Sequence, residues 1–281
     1  VLYGLGREFV FKSDFQQAIV LFERALEMNI QIGNKAQVGY VHGKLGNIFH
    51  NQNDYDQTLI HQHKALAIHR EVGDKRAEGV ALGNIAICYA ELGKLKQSLQ
   101  LYSEALAIHQ EIGNKKSEGI TFGNMANVSF EMGDFQLSLE LYSKSLAIQR
   151  EIGNRKSEGV VLGNMANVYK EKKDFKQALN YCFQGLEIHR EIENTVSEGI
   201  SHGNIGELYL ELKKTELAQD HLQQGIELCE DKSPVAAGSF QGLLALILIQ
   251  KGETHKALSL IESGEENVRP VRHVYLNFLF N

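Results

Sequence analysis

Residues Gly113–Ile152 read GNKKSEGITFGNMANVSFEMGDFQLSLELYSKSLAIQREI, and this stretch recurs on both sides without a gap. Forty residues earlier the chain reads GDKRAEGVALGNIAICYAELGKLKQSLQLYSEALAIHQEI from Gly73, and forty residues later GNRKSEGVVLGNMANVYKEKKDFKQALNYCFQGLEIHREI from Gly153. A fixed period of this size marks an array of supersecondary units, each burying its apolar face against its neighbours. Two apolar patterns of helical spacing lie within one unit. The first carries Ile120, Phe122, Met125, Ala126 and Val128, and the second Phe135, Leu139, Leu141, Tyr142, Leu146 and Ile148. Spacings of three and four predict amphipathic helices of about 16 residues. Gly133-Asp134 and Gly153-Asn154 punctuate them: glycine takes the left-handed position after one helix, and the Asp or Asn beside it caps the next. Glu118 falls in the first turn of its helix, where a negative charge suits the dipole.

Small residues recur at Gly46, Ala86, Ala126, Ala166 and Gly206 on the first helix of each pair, and at Thr58, Ser98, Ser138, Ala178 and Ala218 on the second. Such positions let helices approach closely. Leu45-Gly46-Asn47-Ile48-Phe49 with Tyr55, Thr58 and Ala65 resembles the tetratricopeptide repeat. So does Met165-Ala166-Asn167-Val168-Tyr169 with Phe175, Ala178 and Cys182. The usual unit of that family is about 34 residues and carries a proline near its end. Here the proline is missing and the second helix is longer. Long units of this kind resemble those of Leu-Gly-Asn-repeat adaptors and of arrays in bacterial signalling proteins. The resemblance implies an all-α fold, a right-handed superhelical solenoid of about seven antiparallel helix pairs.

The expected organisation is one solenoid domain over residues 1–281. A partial unit spans 1–33, clear units span 34–72, 73–112, 113–152, 153–192 and 193–231, and a divergent pair with a tail spans 232–281. Unit six is worn: Glu193 replaces the closing glycine, and Lys213-Lys214-Thr215 replaces Gly-Asp-aromatic. Ser233-Pro234 reads as an N-cap with proline at the first helical position. An opening on Val1 inside a partial unit reads as a fragment of a longer chain. Beyond Pro270 the tail Val274–Phe280 is apolar enough to pack as a cap or to mediate self-association.

A net charge of −6 leaves no electrostatic footprint for nucleic acid or an anionic membrane, and no apolar run reaches membrane-spanning length. Basic runs such as Lys75-Arg76, Lys115-Lys116 and Arg155-Lys156 alternate with Glu and read as a solvated ridge. Cys88, Cys182 and Cys229 are isolated, without metal or redox spacing, and read as buried thiols of a reducing, cytoplasmic compartment. His69, His109 and His189 share a register, as do His42 and His202, but neither set reads as a metal site. His61 and His63 point apart on a helix. No nucleophile constellation or phosphate loop appears, so neither an enzyme nor a cofactor is expected.

In the resembled family the first helix of each pair lines the concave surface. Asn84, Asn124, Asn164 and Asn204 hold the place two residues before the small Gly/Ala, with Lys44 there in unit two. Asn47, Asn127 and Asn167 hold the place just after it. By resemblance, amides at these places bond the backbone of an extended bound peptide, since a carboxamide offers donor and acceptor together. The competing reading is that they only fix repeat stacking. Gly43, Gly83, Gly123, Gly163 and Gly203 run along the same helices. Close helix packing is the favoured reason for them, and an uncluttered groove floor the alternative. Glu91, Glu131, Glu171 and Glu211 form a row at the ends of these helices that would favour a partner with basic residues. A carboxylate clamp is disfavoured, because only Lys44 and Lys170 could supply its cations. The expected function is a protein- or peptide-binding scaffold. The alternative is a regulatory or sensory segment of a larger signalling enzyme, docking intramolecularly or self-associating.

Overall fold

Helix starts fall every twenty residues, and local chemistry fixes them. The N-caps Asp14, Asn34, Asp54, Asp74, Asn114, Asn154, Asp174 and Asn194 each accept the backbone N–H three residues on. Asp134 accepts from the Leu137 N–H at 3.0 Å in the same way. One residue before each cap the backbone is left-handed, as at Gly113 with φ +66°. The computed structural model describes residues 2–265, and these turns recur throughout it. The worn turns keep this geometry without the favoured residues: Glu193 and Lys213 are left-handed at φ +55° and +58°. Lys94 and Lys214 occupy N-cap positions without a side-chain cap bond. Ser233 also stands at its N-cap, with Pro234 opening the helix, yet contrary to expectation its side chain makes no cap bond.

The chain divides into two compact units, Val1–Ile148 and Gln149–Asn281. In the first, α1 (Leu2–Phe11) pairs with α2 (Phe15–Gln31), α3 (Lys35–Asn51) with α4 (Tyr55–Val72), and α5 (Lys75–Glu91) with α6 (Leu95–Glu111). Then come α7 (Lys115–Glu131) and α8 (Phe135–Glu151), in which the division falls. The core here is a series of small clusters between consecutive helices. Ala18, Phe22 and Ala25 meet Val41, Leu45 and Ile48, and Leu66 meets Leu82, Ile85 and Ala105. Thr58, Ser98 and Ser138, expected as small contact positions, are at most 1% exposed. Full burial of one large side chain such as Phe22 contributes roughly 2–3 kcal/mol.

In the second unit α9 (Arg155–Glu171) pairs with α10 (Phe175–Glu191) and α11 (Thr195–Glu211) with α12 (Thr215–Cys229). They are followed by α13 (Pro234–Gln250) and a helical segment over 254–265, α14. Ala166, Ala178, Leu186 and Ile205 form one cluster, and Leu222, Ile226, Phe240, Leu244 and Ile247 another. Pro270 and the tail Val274–Phe280, with the self-association expected of it, lie outside the described residues. No helix among the described residues is long and apolar enough to cross a membrane.

The basic runs do more than solvate a ridge. Lys75, Lys115 and Arg155, at the first position of their helices, pair with Glu78, Glu118 and Glu158 three residues on, and those carboxylates are buried. Arg70 and Arg150 reach the same Glu78 and Glu158 from the preceding helix, at 2.9 and 2.8 Å. Glu118 therefore does more than answer a dipole. It pairs with Lys115 at 3.0 Å and accepts from Gln110 Nε2 of the preceding helix at 3.1 Å, where Glu78 and Glu158 have an arginine.

Candidate functional site

The first helix of each pair carries one face that the core leaves uncovered. On α5 it runs through Val80, Gly83, Asn84, Ile87 and Glu91, a spacing of three and four that keeps them in line. The equivalent line on α3 is Tyr40, Gly43, Lys44 and Asn47, and on α7 it is Ile120, Gly123, Asn124, Asn127 and Glu131. In the second unit α9 repeats it through Val160, Gly163, Asn164, Asn167 and Glu171, and α11 through Ile200, Asn204 and Glu211, with Gly203 of the same line buried.

The structure brings Lys44, Asn47 and Asn84 together. Asn84 Nδ2 donates to Asn47 Oδ1 at 3.1 Å, bridging α5 and α3, and Gln62 Nε2 donates to the same oxygen at 2.7 Å from α4. Both acceptor sites of that oxygen are thereby taken, so Asn47 offers its own N–H groups outward. Two clefts flank the bridge. One of about 340 Å³ lies toward His50, Thr58 and Ile87, and the other of about 380 Å³ lies toward Tyr40, Gly43 and Val80. Lys44, Asn47, Gln62 and Asn84 line both.

The other asparagines are placed one by one. Asn124 is half-buried and bonded to Tyr102, whose hydroxyl burial pushes up in pKa, and Asn127 is exposed and accepts from the Tyr142 hydroxyl. Asn164 and Asn204 are half-buried, and Asn167 is exposed. The amides of the first unit thus bond neighbouring side chains and still border the surface.

Glu91, Glu131, Glu171 and Glu211 are exposed at the helix ends. Partial burial, with the negative charge of Glu91 nearby, raises the Glu131 carboxyl pKa, so a cation placed there would relieve the crowding.

Two sequence expectations are corrected on this face. Close packing explains Gly203, where an added Cβ would meet the Phe240 ring at 2.1 Å, but not the rest of the glycine row: at Gly43, Gly83 or Gly163 it meets nothing within 4 Å, and at Gly123 only Ser145 Oγ at 3.4 Å. The close approaches belong to a different row, where Cβ atoms on Gly79 and Gly159 would stand 2.5 Å from Cε1 of His109 and His189. Ile120, read as core, is 44% exposed. It belongs to a row with Tyr40, Val80, Val160 and Ile200, each between 38% and 49% exposed. Recurrence of an apolar residue three places before each glycine was the available signal.

Two histidine contacts also went unread. His42 and His61 face each other at 3.1 Å between Nδ1 atoms, and His202 and His221 at 2.9 Å. Arg190 only donates, so its 2.9 Å contact makes His202 Nε2 an acceptor, which puts the His202 proton on Nδ1, toward His221. Burial, helped by the partner histidine, lowers His42 and His202 to a pKa of about 4. Among the described residues no group of three or more His, Cys, Asp or Glu is placed to hold a metal ion. Cys88, Cys182 and Cys229 are free and buried, and burial pushes the Cys88 thiol up to about 11.

Comparison with known proteins agrees with the geometry. No curated protein matches the chain. Among solved structures it is similar to a Signal Transduction ATPase with Numerous Domains (STAND) protein with a tetratricopeptide repeat sensor from Pyrococcus horikoshii. The TM-score is 0.79 at 15% identity, over 100% of this chain and 44% of that one. It is also similar to the apo form of RapI, with TM-score 0.75 at 14% identity over 97% and 98%. A third similar structure is the Rap conjugation gene regulator of plasmid pLS20 in complex with the Phr* peptide, with TM-score 0.65 at 14% identity over 97% and 74%. At such identities these structures bear on the fold alone. The family profile described as Tetratricopeptide repeat matches residues 37–111, 117–191 and 157–231, and the chain belongs to the tetratricopeptide repeat family.

Proposed function

We propose that this chain is an interaction scaffold rather than a catalyst, and that it captures an extended segment of a partner protein on the asparagine-bearing face of α3, α5 and α7. The observation that carries this reading is the open glycine row. Gly43 and Gly83 sit inside helices, where glycine costs roughly 0.5–1 kcal/mol relative to alanine, and no neighbouring atom requires them. A cost kept at successive units without a packing reason is what a contact surface would ask. The amides beside them suit a peptide backbone, whose N–H and C=O groups need partners on binding. Glu91 and Glu131 favour Lys or Arg in the partner, and the clefts beside Lys44, Asn47 and Asn84 suit its side chains. One of the similar structures is a complex with the Phr* peptide.

The test is a pull-down with the wild type and with an Asn84→Ala, Asn124→Ala, Asn164→Ala variant, with helicity and melting temperature recorded for both. Loss of a partner with the fold intact supports capture. A fall in melting temperature with the same proteins retained assigns the asparagines to repeat stacking. A second reading draws on the STAND match: the array would serve as a sensory segment of a larger signalling protein. Adding the neighbouring domain in trans and measuring its association with the array would separate the two.

A further inference from the structure

The open glycine row has one covered member. Gly203 of α11 stands where Gly43 stands in α3, and Phe240 of α13 stands where Val80 stands in α5, thirty-seven residues on in both cases. A Cβ on Gly203 would lie 2.1 Å from Cε1 and Cζ of Phe240, so the ring rests directly on the glycine backbone, and Phe240 is only 8% exposed. With Val80 in that place the side chain is too short to reach. Nothing comes within 4 Å of a Cβ at Gly43, and the cleft of about 380 Å³ opens between the two residues. Gly83 with Ile120 repeats the arrangement, again with nothing within 4 Å of a Cβ at the glycine. The fold itself thus contains an aromatic ring seated on this glycine position. It presents the same position uncovered at two successive repeats of the first unit.

We propose that the Gly43–Val80 cleft and the Gly83–Ile120 surface each take an aromatic side chain of the bound segment. The segment runs as a polyproline-type strand with an aromatic residue at every third position and Lys or Arg between them. This rests on the capture reading above and specifies its ligand. The register follows from spacing. Packed helices lie about 8–10 Å apart, and Asn84 bonds Asn47 across α5 and α3 at 3.1 Å. A polyproline-type strand advances about 9 Å in three residues and returns every third side chain to the same face. A strict β-strand would turn successive aromatics at that spacing to opposite sides. A helix could match the distance with one residue in seven, but its backbone is already bonded and would leave the amides of Asn47, Asn84 and Asn124 unused. The polyproline strand keeps its N–H and C=O groups free for them. Glu91 and Glu131, exposed at the ends of α5 and α7 on the same face, supply the preference for cations between the aromatics.

The test uses two peptides of one composition: one repeats the triplet Phe-Lys-Pro, and the other has the same residues with the phenylalanines adjacent. Each is titrated by fluorescence anisotropy into the wild type, Val80→Phe, and Asn84→Ala with Asn124→Ala. Val80→Phe copies the Phe240 arrangement and should cover Gly43 from within without lowering the melting temperature. The triplet peptide is expected to bind the wild type at least tenfold more tightly than its isomer, and to lose that margin in Val80→Phe. Equal affinity for the two peptides, or undiminished binding to Val80→Phe, overturns the aromatic seats. If the asparagine variant still weakens both peptides in that case, capture of an extended segment stands without them. Failure of both peptides to bind the wild type also overturns the seats, and the capture reading is then judged by the pull-down alone.

Discussion

Gly43 beside Val80 in the first unit and Gly203 beside Phe240 in the second are the same place in two repeats, and they differ in one side chain. Where the neighbour is Phe240, the glycine is core: the ring lies on its backbone and joins the cluster of Leu244 and Ile247. Where the neighbour is Val80, the glycine is surface and a cleft stands over it. The repeat therefore does not fix whether a position serves stability or contact. One substitution on the adjacent helix moves it from one role to the other.

The largest expected break in the comparison is at the neighbours. Phe240→Ala should cost about 3–5 kcal/mol, the usual cost of emptying a buried aromatic site, whereas Val80→Ala, with 48% exposure in the native residue, should stay within about 0.5 kcal/mol. Urea unfolding of the two variants measures both, and similar losses would erase the distinction.

Next comes pH. The two histidine pairs occupy matching places in the two units, and their native pKa values lie below the unfolded value of 6.5, at about 4 for His42 and His202. The unfolded chain therefore binds more protons between those limits, and stability falls as pH drops from about 6.5 toward 4. His61 and Lys64 face the first pair from within it and beside it, and Arg190 and Glu198 flank the second. Each of His42 and His202 should contribute a loss on the order of 2 kcal/mol by pH 4, read as a falling melting temperature. His42→Gln or His202→Gln should flatten the curve; an unchanged slope would remove the pairs from the account.

Within one helix, Gly79 and Gly83 sharpen the same contrast. Gly79→Ala drives a Cβ to 2.5 Å from the His109 ring and should destabilise by about 1–3 kcal/mol. Gly83→Ala meets open space and should stabilise by roughly 0.5–1 kcal/mol. Matching signs would contradict the packing described. The smallest effects sit at turns that lack one of the favoured residues. Lys94→Asp supplies a missing cap, and Lys213→Gly relieves a left-handed lysine; each should add up to about 1 kcal/mol by thermal unfolding.

The fold was legible because its signals are local. Gly-Asp and Gly-Asn carry both the left-handed turn and the cap, so helix ends could be read from two residues, and the small positions at Ala86, Ser98 and Ala126 followed from recurrence. The turns at Glu193 and Lys213 kept their geometry without those residues, since the helices on either side pack as elsewhere. The site was legible only in part. The asparagine row stood out because asparagine is a poor helix former. Ile120 did not, because it lies between the buried Gly119 and Thr121, and only packing shows on which side of the boundary it falls. The glycines could not be sorted into packed and open rows, because the deciding atoms, His109 and Phe240, belong to other helices. The His42–His61 pair joins residues nineteen apart on two helices, so no single-helix pattern announces it.

The most direct test of the central claim is a Gly43→Ala, Gly83→Ala variant measured twice, by thermal unfolding and by quantitative partner capture from the same lysate as the wild type. A glycine row kept for contact predicts a higher melting temperature together with weaker capture. A higher melting temperature with capture unchanged would contradict it and return the functional surface to another part of the chain.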